Sequence, residues 1–132
     1  MSGSDRFAIW ARCARLQVWL TGLLGAGSVA IPGQLLQLFG AERGPSGQIF
    51  LRAFGVSLFF VALIHHATRD SRDAKLIRAI AIANVVEDGS LLVLTVLGIV
   101  TGTFALTGLM LAFAFVGEVW LNVWLVRRFS GD

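Results

Sequence analysis

The sequence is poor in the residues that a soluble or disulfide-stabilised domain needs. Charged residues make up 14% of its 132 residues, whereas soluble domains contain about 25%. The single cysteine, Cys13, excludes an internal disulfide and any multi-cysteine metal site. A phosphate-binding glycine loop and a Gly-x-Ser-x-Gly nucleophile elbow are also missing. We therefore find no catalytic constellation, and an ordinary soluble enzyme and a secreted disulfide scaffold are both excluded.

The sequence is instead rich in hydrophobic residues, which make up 56% of the chain and are grouped in long runs. A helix of about 20 residues crosses a hydrocarbon core of about 30 Å. The runs do not alternate apolar and polar residues as transmembrane strands do. We therefore predict an all-α integral membrane protein, with one transmembrane domain over residues 1–132. Its four spans cover about residues 10–31, 48–67, 76–100 and 104–126.

The connections between the runs are short, which predicts an up-down-up-down bundle of sequential antiparallel helices. Pro32-Gly33 ends the first run, and residues 34–39 could form one or two interfacial turns. A signal peptide is an alternative for the first run, because Ser28-Val29-Ala30 resembles a cleavage site. We expect this segment to be retained as a helix.

The net charge of +3 comes from basic residues in the gaps between apolar runs, which favours membrane orientation over nucleic-acid binding. Only Arg43 and Arg52 fall on one side of the predicted bundle. The other side carries both termini and nine basic residues: Arg6, Arg12, Arg15, Arg69, Arg72, Lys75, Arg78, Arg127 and Arg128. The positive-inside rule then predicts that both termini are cytoplasmic.

Tryptophans near the predicted cytoplasmic ends agree with this orientation. Indole rings favour the membrane interface, where the ring lies in lipid and the N–H lies near headgroups. We therefore predict interfacial anchors at Trp10, Trp19, Trp120, Trp124, Arg127 and Arg128.

Polar residues inside the third and fourth runs are the most informative positions. A carboxylate at a helix centre costs about 2.5–3.5 kcal/mol on insertion scales. Asn84, Glu87 and Asp88 fall on one helix face, and Glu118 and Asn122 fall on one face of the next helix. If these faces meet, the bundle contains an intramembrane polar cluster. Four uses stay open: hydrogen bonding between helices, contact with a partner chain, proton or cation handling, and a polar contact for a lipophilic ligand.

His65 and His66 lie near the end of the second run. Adjacent residues on a helix point about 100° apart, so the two imidazoles cannot both face one site. We predict interfacial histidines that face headgroups, with a ligand or partner contact as the alternative.

Two segments resemble those of small bacterial four-helix membrane proteins of the DoxX-like type. They are Ile31-Pro32-Gly33-Gln34-Leu35-Leu36-Gln37-Leu38-Phe39-Gly40 and Leu51-Arg52-Ala53-Phe54-Gly55. The resemblance implies a four-helix inner-membrane protein and brings no established activity with it.

The function we expect first is a non-catalytic accessory or assembly subunit of a larger respiratory or photosynthetic membrane complex. The alternative is a small proton-coupled carrier or lipophilic-ligand-binding protein that uses Glu87, Asp88 and Glu118. An enzyme acting on a lipophilic substrate ranks third. The expected partners are the lipid bilayer and other membrane subunits or a second copy, with no nucleic acid. No cofactor or metal is evident, and a bound lipid, quinone or pigment stays open.

Overall fold

The computed structural model describes residues 3–130, and within them the regular structure is all α-helical. The helices are α1 (Gly3–Ala30), α2 (Pro32–Leu38), α3 (Pro45–Thr68), α4 (Ala74–Val100) and α5 (Gly108–Arg128). They form two compact units, and the single transmembrane domain stays a prediction. The first unit contains α1, α2 and α3, and the second contains α4, α5 and the segment Phe39–Ala41.

The helix ends follow from local sequence. Asp73 caps α4, because its Oδ1 accepts hydrogen bonds from the backbone N–H groups of Lys75 (2.9 Å) and Leu76 (3.2 Å). Pro45 is the first residue of α3, where its missing N–H is not needed. Pro32 disfavours a helical conformation at the preceding residue. Accordingly α1 ends at Ala30, and the chain bends by 108° between the axes of α1 and α2.

In the first unit, α1 and α3 pack as an antiparallel pair. Residues at the start of α1 contact the end of α3, and Gly25 near the end of α1 contacts Gly55 in the first half of α3. The buried positions recur at three- and four-residue spacing, which is the pattern of closely aligned helices. On α1 they are Trp10, Ala14, Gln17, Gly25 and Ser28, and on α3 they are Gly55, Leu58, Ala62 and His65.

The two backbones approach most closely at Gly25 and Gly55. A Cβ atom placed on Gly55 would lie 2.8 Å from the carbonyl oxygen of Gly25 and 2.8 Å from the Cβ of Ser28. A Cβ on Gly25 would lie 2.9 Å from the carbonyl oxygen of Gly55. Small residues at such contacts let membrane helices pack through van der Waals contact. Both positions therefore require glycine.

In the second unit, α4 and α5 also pack antiparallel. Asn84 in the first half of α4 contacts Asn122 in the second half of α5, while Gly108 at the start of α5 lies against Ile99. The buried row on α4 is Ile77, Ala81, Asn84 and Thr95, and on α5 it is Gly108, Ala112, Asn122 and Leu125. The segment Phe39–Ala41 is held to this unit by a backbone hydrogen bond, in which the N–H of Ala105 donates to the carbonyl of Phe39 at 2.9 Å.

The helices α3, α4 and α5 are each long and apolar enough to cross a membrane, and the bent pair α1 and α2 could provide a fourth span. The prediction of helices long and apolar enough to span a membrane is confirmed for these three. Their ends differ by a few residues from the predicted runs, mainly because residues 104–107 belong to the turn before α5. The predicted turns at residues 34–39 form most of the short helix α2.

We predict that Gly55→Ala destabilises the first unit by about 1–3 kcal/mol, because the added methyl group overlaps backbone atoms of α1 that cannot move aside. Thermal unfolding in mild detergent measures the effect. Gly22→Ala is the matched control, since a Cβ there has no atom within 4 Å. Equal melting temperatures for the two variants would contradict the close approach of the α1 and α3 backbones at Gly55.

Candidate functional site

A buried pair of asparagines joins α4 to α5. The side-chain Nδ2 of Asn84 donates to Oδ1 of Asn122 at 3.2 Å. Asn122 is 1% exposed, and its own Nδ2 donates to the backbone carbonyl of Glu118 at 2.9 Å. Hydrogen bonds of this kind contribute about 0.6–2 kcal/mol between membrane helices. The pair therefore fixes the register of the two helices.

Three carboxyl groups extend this polar contact toward the middle of the helices. Asp88 lies one turn after Asn84, and it is close enough to Glu118 on α5 and to Glu87 for their charges to interact. All three side chains are partly exposed. In the part of the chain that the structure describes, neither Glu87 nor Asp88 forms an ion pair with a lysine or arginine. We call Asn84, Glu87, Asp88, Glu118 and Asn122 the acidic seam.

The acidic seam brings together the five residues that the sequence placed on two facing helix surfaces. Like-charged carboxyl groups close together in an apolar helix pair repel one another when ionised. A proton, a cation or a basic side chain of another molecule would relieve that repulsion. Within residues 3–130, no three His, Cys, Asp or Glu side chains are grouped so as to hold a metal ion.

Trp10 does not occupy the interfacial position that the sequence predicted. It is 1% exposed, and its indole N–H donates to the backbone carbonyl of Thr68 at 2.8 Å. Thr68 is the last residue of α3, so its carbonyl has no partner within the helix. The backbone N–H of Ser71 also donates to this carbonyl at 2.9 Å, so the indole is its second donor. We had expected the indole to face headgroups.

His65 also differs from its predicted place, because it is 1% exposed and packs against Trp10 with ring centroids 5.8 Å apart. Its Nδ1 lies 2.9 Å from the carbonyl oxygen of Val61. A carbonyl oxygen only accepts, so Nδ1 carries a proton. His66 is exposed, as expected for a headgroup contact, and Arg69 donates to its Nδ1 at 3.0 Å. The two rings do not share one site.

The other predicted anchors lie at surfaces that lipid can reach. Trp19 and Trp120 are each 69% exposed, and Arg127 is exposed. Trp124 is partly exposed, and the guanidinium of Arg128 lies 5.1 Å from its ring centroid, which is a cation–π geometry. Their role as interfacial anchors stays a prediction.

Sequence reasoning missed two features of the structure. The contact of Trp10 with Thr68 and His65 was one, although the three- and four-residue spacing of Trp10, Ala14 and Gln17 indicated a buried face. The other is a cavity at the end of the second unit that contains Lys75 and Arg78. The sequence had predicted no cavity at these two residues.

No protein-family model matches the chain, no curated protein matches it, and no solved structure matches it. The resemblance to DoxX-like proteins therefore stays a prediction.

We predict that Asn84→Ala and Asn122→Ala are coupled in a double-mutant cycle by about 0.6–1.7 kcal/mol, the range found for hydrogen bonds between membrane helices. The free energy of unfolding in detergent is the measured quantity. The control cycle pairs Asn122→Ala with Ser90→Ala. Ser90 donates only to the carbonyl of Val86 within its own helix, so this cycle should be additive. A coupling energy of zero would contradict the conclusion that the asparagine pair fixes the register of α4 and α5.

Proposed function

We propose that this chain is a small multi-pass protein of a bacterial-type inner membrane that serves as a non-catalytic accessory or assembly subunit of a larger membrane complex. A respiratory or photosynthetic complex is the class we expect. The proposal includes an up-down-up-down arrangement of four spans with both termini in the cytoplasm.

The orientation is supported by the way the positive charges gather in each unit. In the first unit, the arginines at the start of α1 lie at the same end as Arg69 after α3, because Trp10 contacts Thr68. In the second unit, Lys75 and Arg78 lie at the same end as Arg127 and Arg128, because α4 and α5 are antiparallel. Retention of these ends in the cytoplasm is what the positive-inside rule requires.

The observation that carries the subunit role is the outer face of α5. Opposite the buried row, large apolar side chains of α5 lie on one face and are strongly exposed: Met110, Phe113 and Trp120, with Leu106 in the turn just before the helix. Between Phe113 and Trp120 lies Gly117, where a Cβ would have no atom within 4 Å. This open position between two aromatic rings suits a side chain or backbone from another helix. We call this surface the α5 outer face.

We predict that the protein, extracted gently from its own membrane, migrates with a larger complex when its native mass is determined. Gly117→Leu should reduce the fraction found in that complex, because the leucine fills the open position of the α5 outer face. Gly22→Leu is the matched control, since Gly22 on α1 is also open. Migration of the wild-type chain as a monomer or small homo-oligomer would overturn the subunit proposal.

A second candidate function is favoured by the acidic seam. Its carboxyl groups lie close together, and within the described residues Glu87 and Asp88 form no ion pair with a lysine or arginine. Such a cluster suits proton or cation handling, or binding of a lipophilic ligand such as a quinone. This carrier or binding protein would be stable alone or as a small homo-oligomer.

For the carrier, we predict that Glu118→Gln and Glu87→Gln abolish proton-coupled flux in reconstituted vesicles, because each removes one protonatable group from the acidic seam. Glu42→Gln is the control, since Glu42 is exposed in the linker before α3. Unchanged flux in both seam variants would exclude the carrier, and the native-mass measurement is independent of this result.

A further inference from the structure

A cavity of about 190 Å³ opens at the cationic end of the second unit. It lies on the first three turns of α4 and is closed on one side by the residue that follows α5. The lining residues are Ala74, Lys75, Arg78, Ala79, Ile82 and Phe129. No residue of the acidic seam lines this cavity, because Asn84, Glu87 and Asp88 lie on the opposite face of α4.

The cavity carries two cations that the protein itself does not neutralise. The side chains of Lys75 and Arg78 are exposed, and in the part of the chain that the structure describes neither forms an ion pair. The nearby carboxylate of Asp73 is engaged with the backbone N–H groups of Lys75 and Leu76 at the start of α4. A phosphate group suits this pair, because arginine offers paired donors and lysine a compact charge.

Directly beyond the cations, the same face of α4 becomes apolar. Ile82, Val86 and Val93 follow one another along this face at multiples of three to four residues, and each is exposed. Phe129, 2% exposed, forms the apolar side wall of the cavity. Arg78 and Val86 are separated by eight residues, or about 12 Å of helix. This length suits an acyl chain within one leaflet of about 15 Å, and Val93 lies beyond it.

We propose that this face of α4 binds one anionic phospholipid, with the phosphate held by Lys75 and Arg78 and an acyl chain lying along Ile82 and Val86. The combination of cations and aliphatic side chains selects an amphiphile. A free phosphate would leave the apolar part unused, and a zwitterionic lipid would gain less from the two cations. The proposal depends on the chain lying in a membrane and is independent of its role as a subunit or carrier.

The test is native mass spectrometry of the full-length protein in mild detergent, titrated with phosphatidylglycerol and with phosphatidylcholine of the same acyl chains. We expect tighter binding of phosphatidylglycerol. Each cation near a membrane surface contributes about 1 kcal/mol. Lys75→Gln and Arg78→Gln should therefore each weaken phosphatidylglycerol binding about fivefold, and the double variant about 25-fold or more.

Arg43→Gln/Arg52→Gln is the matched control, because it removes the same charge from two exposed arginines of the first unit. It should leave the affinity unchanged. Equal loss in the control and in the Lys75/Arg78 double variant would overturn the site in favour of a general charge effect. Glycerol phosphate and inorganic phosphate should not compete with the lipid. Effective competition by either would also overturn the proposal, since the site would then recognise an anion without its acyl chain.

Circular dichroism and the melting temperature show whether the variants fold. Both substituted side chains are exposed and unpaired with other side chains, so neither measurement should change. Equal affinity of the wild-type protein for phosphatidylglycerol and phosphatidylcholine would also reject the proposal, whatever the variants do.

Discussion

Close approach of helix backbones, with a few hydrogen bonds at the contact, is the constraint on which both units depend. In a bilayer, lipid tails are as apolar as leucine, so burying apolar side chains between helices provides little driving force. The first unit meets this constraint with Gly25 against Gly55 and with the indole of Trp10 on the carbonyl of Thr68. The second meets it with Asn84 and Asn122. Large apolar side chains are consequently left on the outer faces.

This constraint also explains why the carboxyl groups of the acidic seam lie beside its two asparagines. Once Asn84 and Asn122 fix the register, Asp88 and Glu118 fall at neighbouring positions of the same contact. The helix pair would be more stable with apolar residues there, since each carboxyl group must lose much of its hydration or keep a proton. Stability of the pair therefore does not account for the carboxyl groups.

The sequence predicted the spans and the meeting of polar faces, because apolar runs and helical spacing depend on local pattern alone. Its spacing placed Asn84 and Asp88 on one face and Glu118 and Asn122 on another. Trp10 was misplaced because indole rings occur both at interfaces and buried against a polar partner. That partner is the last carbonyl of α3, which the indole reaches only when α1 and α3 pair. The division into two units likewise depends on tertiary contacts, which spacing within single helices does not specify.

The two outer faces of the second unit differ in chemistry, and the difference separates what each can bind. The face of α4 begins with Lys75 and Arg78 and continues with branched aliphatic side chains. The α5 outer face carries the aromatic rings of Phe113 and Trp120 around Gly117. Flexible acyl chains adapt to any smooth aliphatic surface, whereas rigid rings around an open glycine have a fixed shape that a protein helix can match. A lipid on α4 and a partner helix on α5 would therefore bind without competing.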